Sequence, residues 1–119
     1  MKKRSRTDLL FLIDIQTSMQ KIAEYIKGYD FISFKRDSKT VDAVIRNFEI
    51  IGEASKRVSE TVRERNPDLP WTEMYYLRNR VMHEYFGVDF EIIWDIANNY
   101  LPGNKLVIDK IITEYLKDT

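Results

Sequence analysis

The chain has no cysteine and a single histidine in 119 residues. The first absence excludes disulfides, thiolate nucleophiles and every cysteine-based zinc or iron–sulfur site. The second excludes any site that needs two histidines from one chain. There is no charge excess either: 19 Lys+Arg balance 19 Asp+Glu, so general electrostatic coating of nucleic acid is not the main purpose, although a local basic patch remains open. No apolar run approaches the roughly 20 residues of a membrane span. The basic start Met1-Lys2-Lys3-Arg4 before Leu9–Ile13 superficially resembles a signal peptide. Asp8 and Asp14 bracket an apolar run too short for one, and no small-residue cleavage site follows. The chain therefore reads as soluble and cytoplasmic.

Glycine and proline are scarce, four and three residues, against a usual joint share of roughly 12%. They gather at Gly28, Asn66-Pro67-Asp68-Leu69-Pro70, Gly87 and Pro102-Gly103, which divide the chain into long uninterrupted segments. No Asn-Gly or Asp-Gly dipeptide lies between alternating apolar residues, so no hairpin is expected. What is present is 44% hydrophobic and 13% aromatic residues, enough for a core in one domain spanning 1–119.

Leu12, Ile15, Met19, Ile22 and Ile26 recur at helical spacing, with Thr7 as a candidate N-cap and Asp8 at a dipole-favoured position. Val41, Val44, Phe48, Ile51, Ser55, Val58 and Val62 mark a second helix, capped by Asp37 or Ser38 and running to about Arg65. Within it, Ile51-Gly52-Glu53-Ala54 puts small residues mid-helix, where a neighbouring helix should approach closely. Trp71 to Phe86 reads as a third helix stopped by Gly87, Asp89 caps a fourth that ends before Pro102, and Ile108, Ile111, Ile112 and Tyr115 mark a fifth. Tyr29–Phe34 alternates weakly and reads as an apolar loop rather than a strand. The expected fold is all-α, an antiparallel bundle of about five helices.

Familiar catalytic signatures are missing: no GxSxG elbow, P-loop, GxGxxG or HExxH occurs. Glu49 and Glu53 share a helix face, but without Glu-x-x-His partners a di-iron site fails, and the simpler expectation is that these acids are solvated or paired with Arg46 and Arg57. The segment Leu77-Arg78-Asn79-Arg80-Val81-Met82-His83-Glu84-Tyr85-Phe86 carries the remaining chemistry. On a helix, Asn79 aligns with His83 and Arg78 with Tyr85, giving a polar strip. Arginine binds phosphate bidentately and imidazole moves protons near neutral pH, a pairing suited to phosphodiester chemistry without a metal. The same side chains can equally bond and stack within a bundle.

The string Arg78-Asn79-x-x-x-His83-x-Tyr85 resembles the R-x-x-x-x-H-x-Y signature of HepT-like toxins in the HEPN superfamily. Asp8-x-Leu10, Arg36-Asp37, Ile51-Gly52-Glu53-Ala54, Pro70-Trp71 and Val88-Asp89 through Ile93-Trp94 fall where that family has similar residues, so the resemblance spans nearly the whole chain. Tyr76 departs from it, standing where relatives are expected to carry a small residue such as glycine. The resemblance implies a homodimeric, metal-independent ribonuclease that needs no cofactor, the toxin of a toxin–antitoxin pair. Arg78 and His83 would be catalytic with Asn79 supporting them, and the substrate would be RNA, tRNA included. The antitoxin would be an MntA-type nucleotidyltransferase that attaches AMP to Tyr85. Two other classes stay open: a non-catalytic HEPN module binding nucleotide or protein through the same groove, and the neutralising subunit of such a pair.

Overall fold

A computed structural model describes residues 6–83 and 87–117. The Lys/Arg cluster of residues 1–5 and the motif tyrosine, Tyr85, lie outside the described residues. The fold is an all-α bundle, as the periodicity implies. Its frame consists of α1 (Arg6–Ile26), α3 (Ser38–Arg57) and a long carboxyl-terminal helical run from Phe90 to Lys117. The expected stripes form the core: Leu12, Ile15, Met19 and Ile22 of α1 meet Val44, Phe48 and Ile51 of α3, all essentially inaccessible to solvent. Each such side chain contributes about 1.5–3 kcal/mol when fully buried.

The α1–α3 connection is ordered by local bonds rather than left as a loop. Gly28 takes φ +84°, which a side chain would disfavour, and the next residues form a short helix, α2 (Phe31–Arg36). Asp30 and Ser33 cap it reciprocally: the Ser33 N–H donates to Asp30 Oδ1 at 2.8 Å, and the Asp30 N–H donates to Ser33 Oγ at 3.0 Å. The apolar loop expected over Tyr29–Phe34 is therefore helical, with Phe34 fully buried against Trp94. Asp37 caps α3 as the sequence suggests, accepting from the Thr40 N–H, the Thr40 hydroxyl and the Tyr29 hydroxyl. These bonds, that of Tyr29 foremost, hold its carboxyl below the ordinary carboxylate range.

The second expected helix stops early. Val58 turns extended at φ −63°, ψ 136°, and Ser59 caps a separate helix, α4 (Glu60–Arg65). The cause lies on α1: Asp8, 7% exposed, accepts from both the Ser59 N–H and the Ser59 hydroxyl at 2.8 Å. Ser59 can make both bonds only outside a continuous helix. The pair fixes the start of α1 to the end of α3, which sets the two helices antiparallel. Thr7 lies inside α1 rather than capping it.

Pro102 does not end the fourth helix. α7 (Phe90–Asp95), capped by Asp89 through the Ile92 N–H, continues through a single π segment, Ile96–Tyr100, into α8 (Leu101–Lys117). At that segment the Leu101 N–H reaches back five residues to the Ile96 carbonyl. The widened turn shifts the bonding ladder just before the proline, whose missing N–H and ring would otherwise break it. The Asn98 side chain satisfies the Trp94 carbonyl at 3.0 Å. The merged helix lies along α1, where the Gln16 amide donates to Asp109 at 2.8 Å.

Candidate functional site

The third expected helix is broken into pieces, and that break shapes the site. α5 (Trp71–Tyr75) ends at Tyr76, whose backbone sits at φ −93°, ψ 12°. α6 (Leu77–Val81) follows at once. The Trp71 indole N–H donates to the Asn66 carbonyl at 2.9 Å, tying the start of α5 to the loop before it. After Val81 the chain becomes extended, Met82 lying at φ −103°, ψ 124°. Met82–His83 (β1) then pairs antiparallel with Gly87–Val88 (β2), His83 opposite Gly87. This strand pairing was not expected; Gly87 sits at φ +80°, and the Asp89 N–H donates to the Val81 carbonyl at 2.7 Å. Asn79 and His83 are therefore not one helical turn apart. Arg78 and Asn79 stand on α6, while His83 follows on extended backbone.

α5 and α6 lie across α3 over the small-residue segment. A Cβ on Gly52 would stand 2.8 Å from the Tyr75 carbonyl oxygen and 3.3 Å from that of Met74. The sequence expectation of close approach thus has its partner: the backbone of α5, just before the break. Adding the methyl gains helix propensity of about 1 kcal/mol but forces backbone to move, which costs about 1–3 kcal/mol. Gly52→Ala is expected to lower stability by roughly 1 kcal/mol in urea unfolding and to displace Arg78. A stability equal to wild type would show that α5 yields freely.

Beside this contact a groove of about 640 Å³ opens between α1, α3 and α5–α6. Phe11 and Asp14 line it from α1, Arg46, Glu49, Glu53 and Arg57 from α3, and Tyr75, Arg78 and Asn79 from the broken helix. The structure thus brings two of the sequence-designated residues, Arg78 and Asn79, into one cleft. Arg78 Nε donates to Glu49 Oε1 at 3.2 Å, and Arg46 Nη1 stands 3.8 Å from Glu49 Oε2. Arg57 Nε donates to Glu53 Oε1 at 2.8 Å. Of the two expected alternatives, solvation or pairing with Arg46 and Arg57, the structure shows pairing; the part of Glu49 in holding Arg78 was not expected, because nothing in the sequence links positions 29 apart.

The Arg78 side chain keeps 55% of its surface exposed. An ion pair that open is worth about 0–1 kcal/mol, and it engages Nε of a group with five N–H donors. A phosphate can therefore compete for Arg78 at little cost. Three guanidinium groups in one cleft suit a polyanion, while the three carboxylates beside them hold the net charge near zero when no anion is bound. No group of three or more His, Asp or Glu positioned to hold a metal occurs among the described residues. No helix among them is long and apolar enough to cross a membrane.

Comparison with known proteins supplies the relationship. Residues 15–111 match the family model described as Ribonuclease HepT-like. The chain is 41% identical over 104 residues to "Putative RNase MJ0127" of Methanocaldococcus jannaschii, covering 87% of this chain and 86% of that one. It is 38% identical over 109 residues to "Probable ribonuclease HepT" of Thermococcus cleftensis, 92% of this chain and 97% of that one. A third relative, "Putative RNase TTE0752" of Caldanaerobacter subterraneus subsp. tengcongensis, is 33% identical over 107 residues, with 90% and 96% covered. No solved structure matches the chain. With the signature string, the all-helical bundle and a match over most of its length, the chain belongs to the HepT-like ribonuclease family.

Proposed function

We propose that this protein is a metal-independent endoribonuclease and the toxin of a toxin–antitoxin pair, cutting RNA at a site shared by two subunits of a homodimer. The observation that carries the reading is the accessible Arg78–Asn79 pair in a cleft of a chain from this family. RNA can be cut through its own 2′-hydroxyl, which attacks the adjacent phosphorus while the 5′-oxygen leaves. That path needs a base for the first oxygen, an acid for the second and cations for the charge on the phosphorane. One chain holds one histidine. A two-fold dimer that brings the motif segments together supplies two imidazoles and two Arg78 guanidinium groups. His83 then moves protons, Arg78 holds the scissile phosphate, and Asn79 orients His83 or the sugar.

Purified protein incubated with total RNA and with tRNA in EDTA should yield fragments ending in 2′,3′-cyclic phosphate. Cleavage that appears only with added divalent metal would refute metal independence. Background cleavage alone would leave the groove as a docking surface in a non-catalytic module.

In the same reading Tyr85 is the point of control. A nucleotidyltransferase partner of the MntA type attaches AMP to its hydroxyl, adding negative charge and bulk within the same motif as Arg78. Intact-mass analysis after incubation with such a transferase and ATP should show adenylyl addition to wild type and none to Tyr85→Phe. Addition that persists in the variant would move the acceptor elsewhere.

A further inference from the structure

At the break between α5 and α6 the chain places two tyrosines in succession, Tyr75 and Tyr76, with ring centroids 4.5 Å apart and planes tilted by 52°. Both are exposed, 38% and 49%, although together they offer a large apolar surface that a core would normally take. Tyr75 lines the groove that holds Arg46 and Arg78, and the Lys56 ammonium stands 5.6 Å from the centre of its ring. Arg78 follows Tyr76 by two positions. Exposed aromatic faces edged by cations are what an unpaired nucleic-acid strand needs, because bases stack on rings while phosphates meet guanidinium and ammonium groups. A duplex keeps its bases stacked on one another and offers none to the rings.

We propose that Tyr75 and Tyr76 form a stacking platform for an unpaired nucleobase of the RNA, next to the phosphate held by Arg78. The proposal rests on the ribonuclease reading and adds to it that the strand entering the groove is single-stranded. Tyr76 presents the more open ring; Tyr75, flanked by Lys56, braces it and lines the groove beside it.

The test measures binding apart from cleavage. A labelled oligoadenylate with every 2′-hydroxyl methylated cannot be cut through that oxygen, and fluorescence anisotropy reports its Kd. The wild type should bind the single strand more tightly than the same strand annealed to 2′-O-methyl oligouridylate. Tyr76→Ala should weaken single-strand binding by about tenfold with duplex binding unchanged, and Tyr76→Phe, which keeps the ring, should retain it. Equal Kd values for wild type and Tyr76→Ala would overturn the platform. So would a loss of binding that tracks loss of subunit pairing in sedimentation, since the ring would then belong to an interface. A protein that cuts no RNA yet binds this probe through Tyr76 would retain the platform and lose the ribonuclease reading. A protein that cuts RNA in EDTA with no dependence on either ring would do the reverse.

Discussion

Replacing His83 with alanine is expected to lower RNA cleavage in EDTA by about 10²–10⁴-fold, the usual contribution of a positioned acid or base. The loss should fall on the chemical step, because alanine leaves the Arg46 and Arg78 guanidinium groups in the groove to hold the strand. Binding of the methylated oligonucleotide should therefore stay within about twofold of wild type while kcat collapses. No second histidine in the sequence can take over. The pH–rate profile of the wild type should show two limbs, since the proposed shared site needs one imidazole neutral and its counterpart protonated in the same turnover. Cleavage by His83→Ala at the wild-type rate, with unchanged helicity, would remove imidazole from the mechanism altogether.

How far the sequence foretold this arrangement depends on the range of the forces involved. The apolar stripes of α1 and α3 are written at spacings of three and four, and the structure buries them as expected. The caps at Asp37 and Asp89 were legible because a cap bonds a backbone group only three positions away. Gly52 announced a close approach but not its partner, since the Tyr75 carbonyl comes from a distant part of the chain. The capping pair Asp30 and Ser33 was also in plain view, masked by an aromatic segment that reads as a loop.

Other features were beyond local reading. Nothing near Val58 interrupts a helix; Asp8, 51 positions away from Ser59, does so by claiming its N–H and hydroxyl. Pro102 is a stop signal in any sequence, yet the π segment before it absorbs the missing donor. At the motif itself, helical spacing put Asn79 and His83 on one face, and the chain instead turns extended at Met82. Arg78 and Asn79 are legible by type and order; their place in one groove depends on α5–α6 packing across α3 and, for Arg78, on Glu49, which the one-dimensional pattern does not contain.

Arg78 offers the sharpest measure of whether two subunits share one site. Arg78→Ala should cost about 10²–10³-fold in kcat, the price of losing a donor aimed at charge that develops in the transition state. Arg78→Lys should recover only part of this, because an ammonium lacks the planar fork that meets two phosphate oxygens. Glu49→Gln removes the carboxylate that holds Arg78 at 3.2 Å, so it should change stability by less than about 1 kcal/mol while disturbing the approach of the guanidinium to substrate. Mixed dimers of His83→Ala and Arg78→Ala subunits, isolated through two different tags, then separate the two geometries. If each subunit carried its own site, one would lack histidine and the other arginine, and the mixed dimer would be as inactive as either parent. In a single shared site the mixed dimer still holds one imidazole and one guanidinium, whereas each parental dimer has lost both copies of one group. The shared arrangement therefore predicts activity about tenfold above either parent and below wild type, since one proton transfer and one phosphate contact survive.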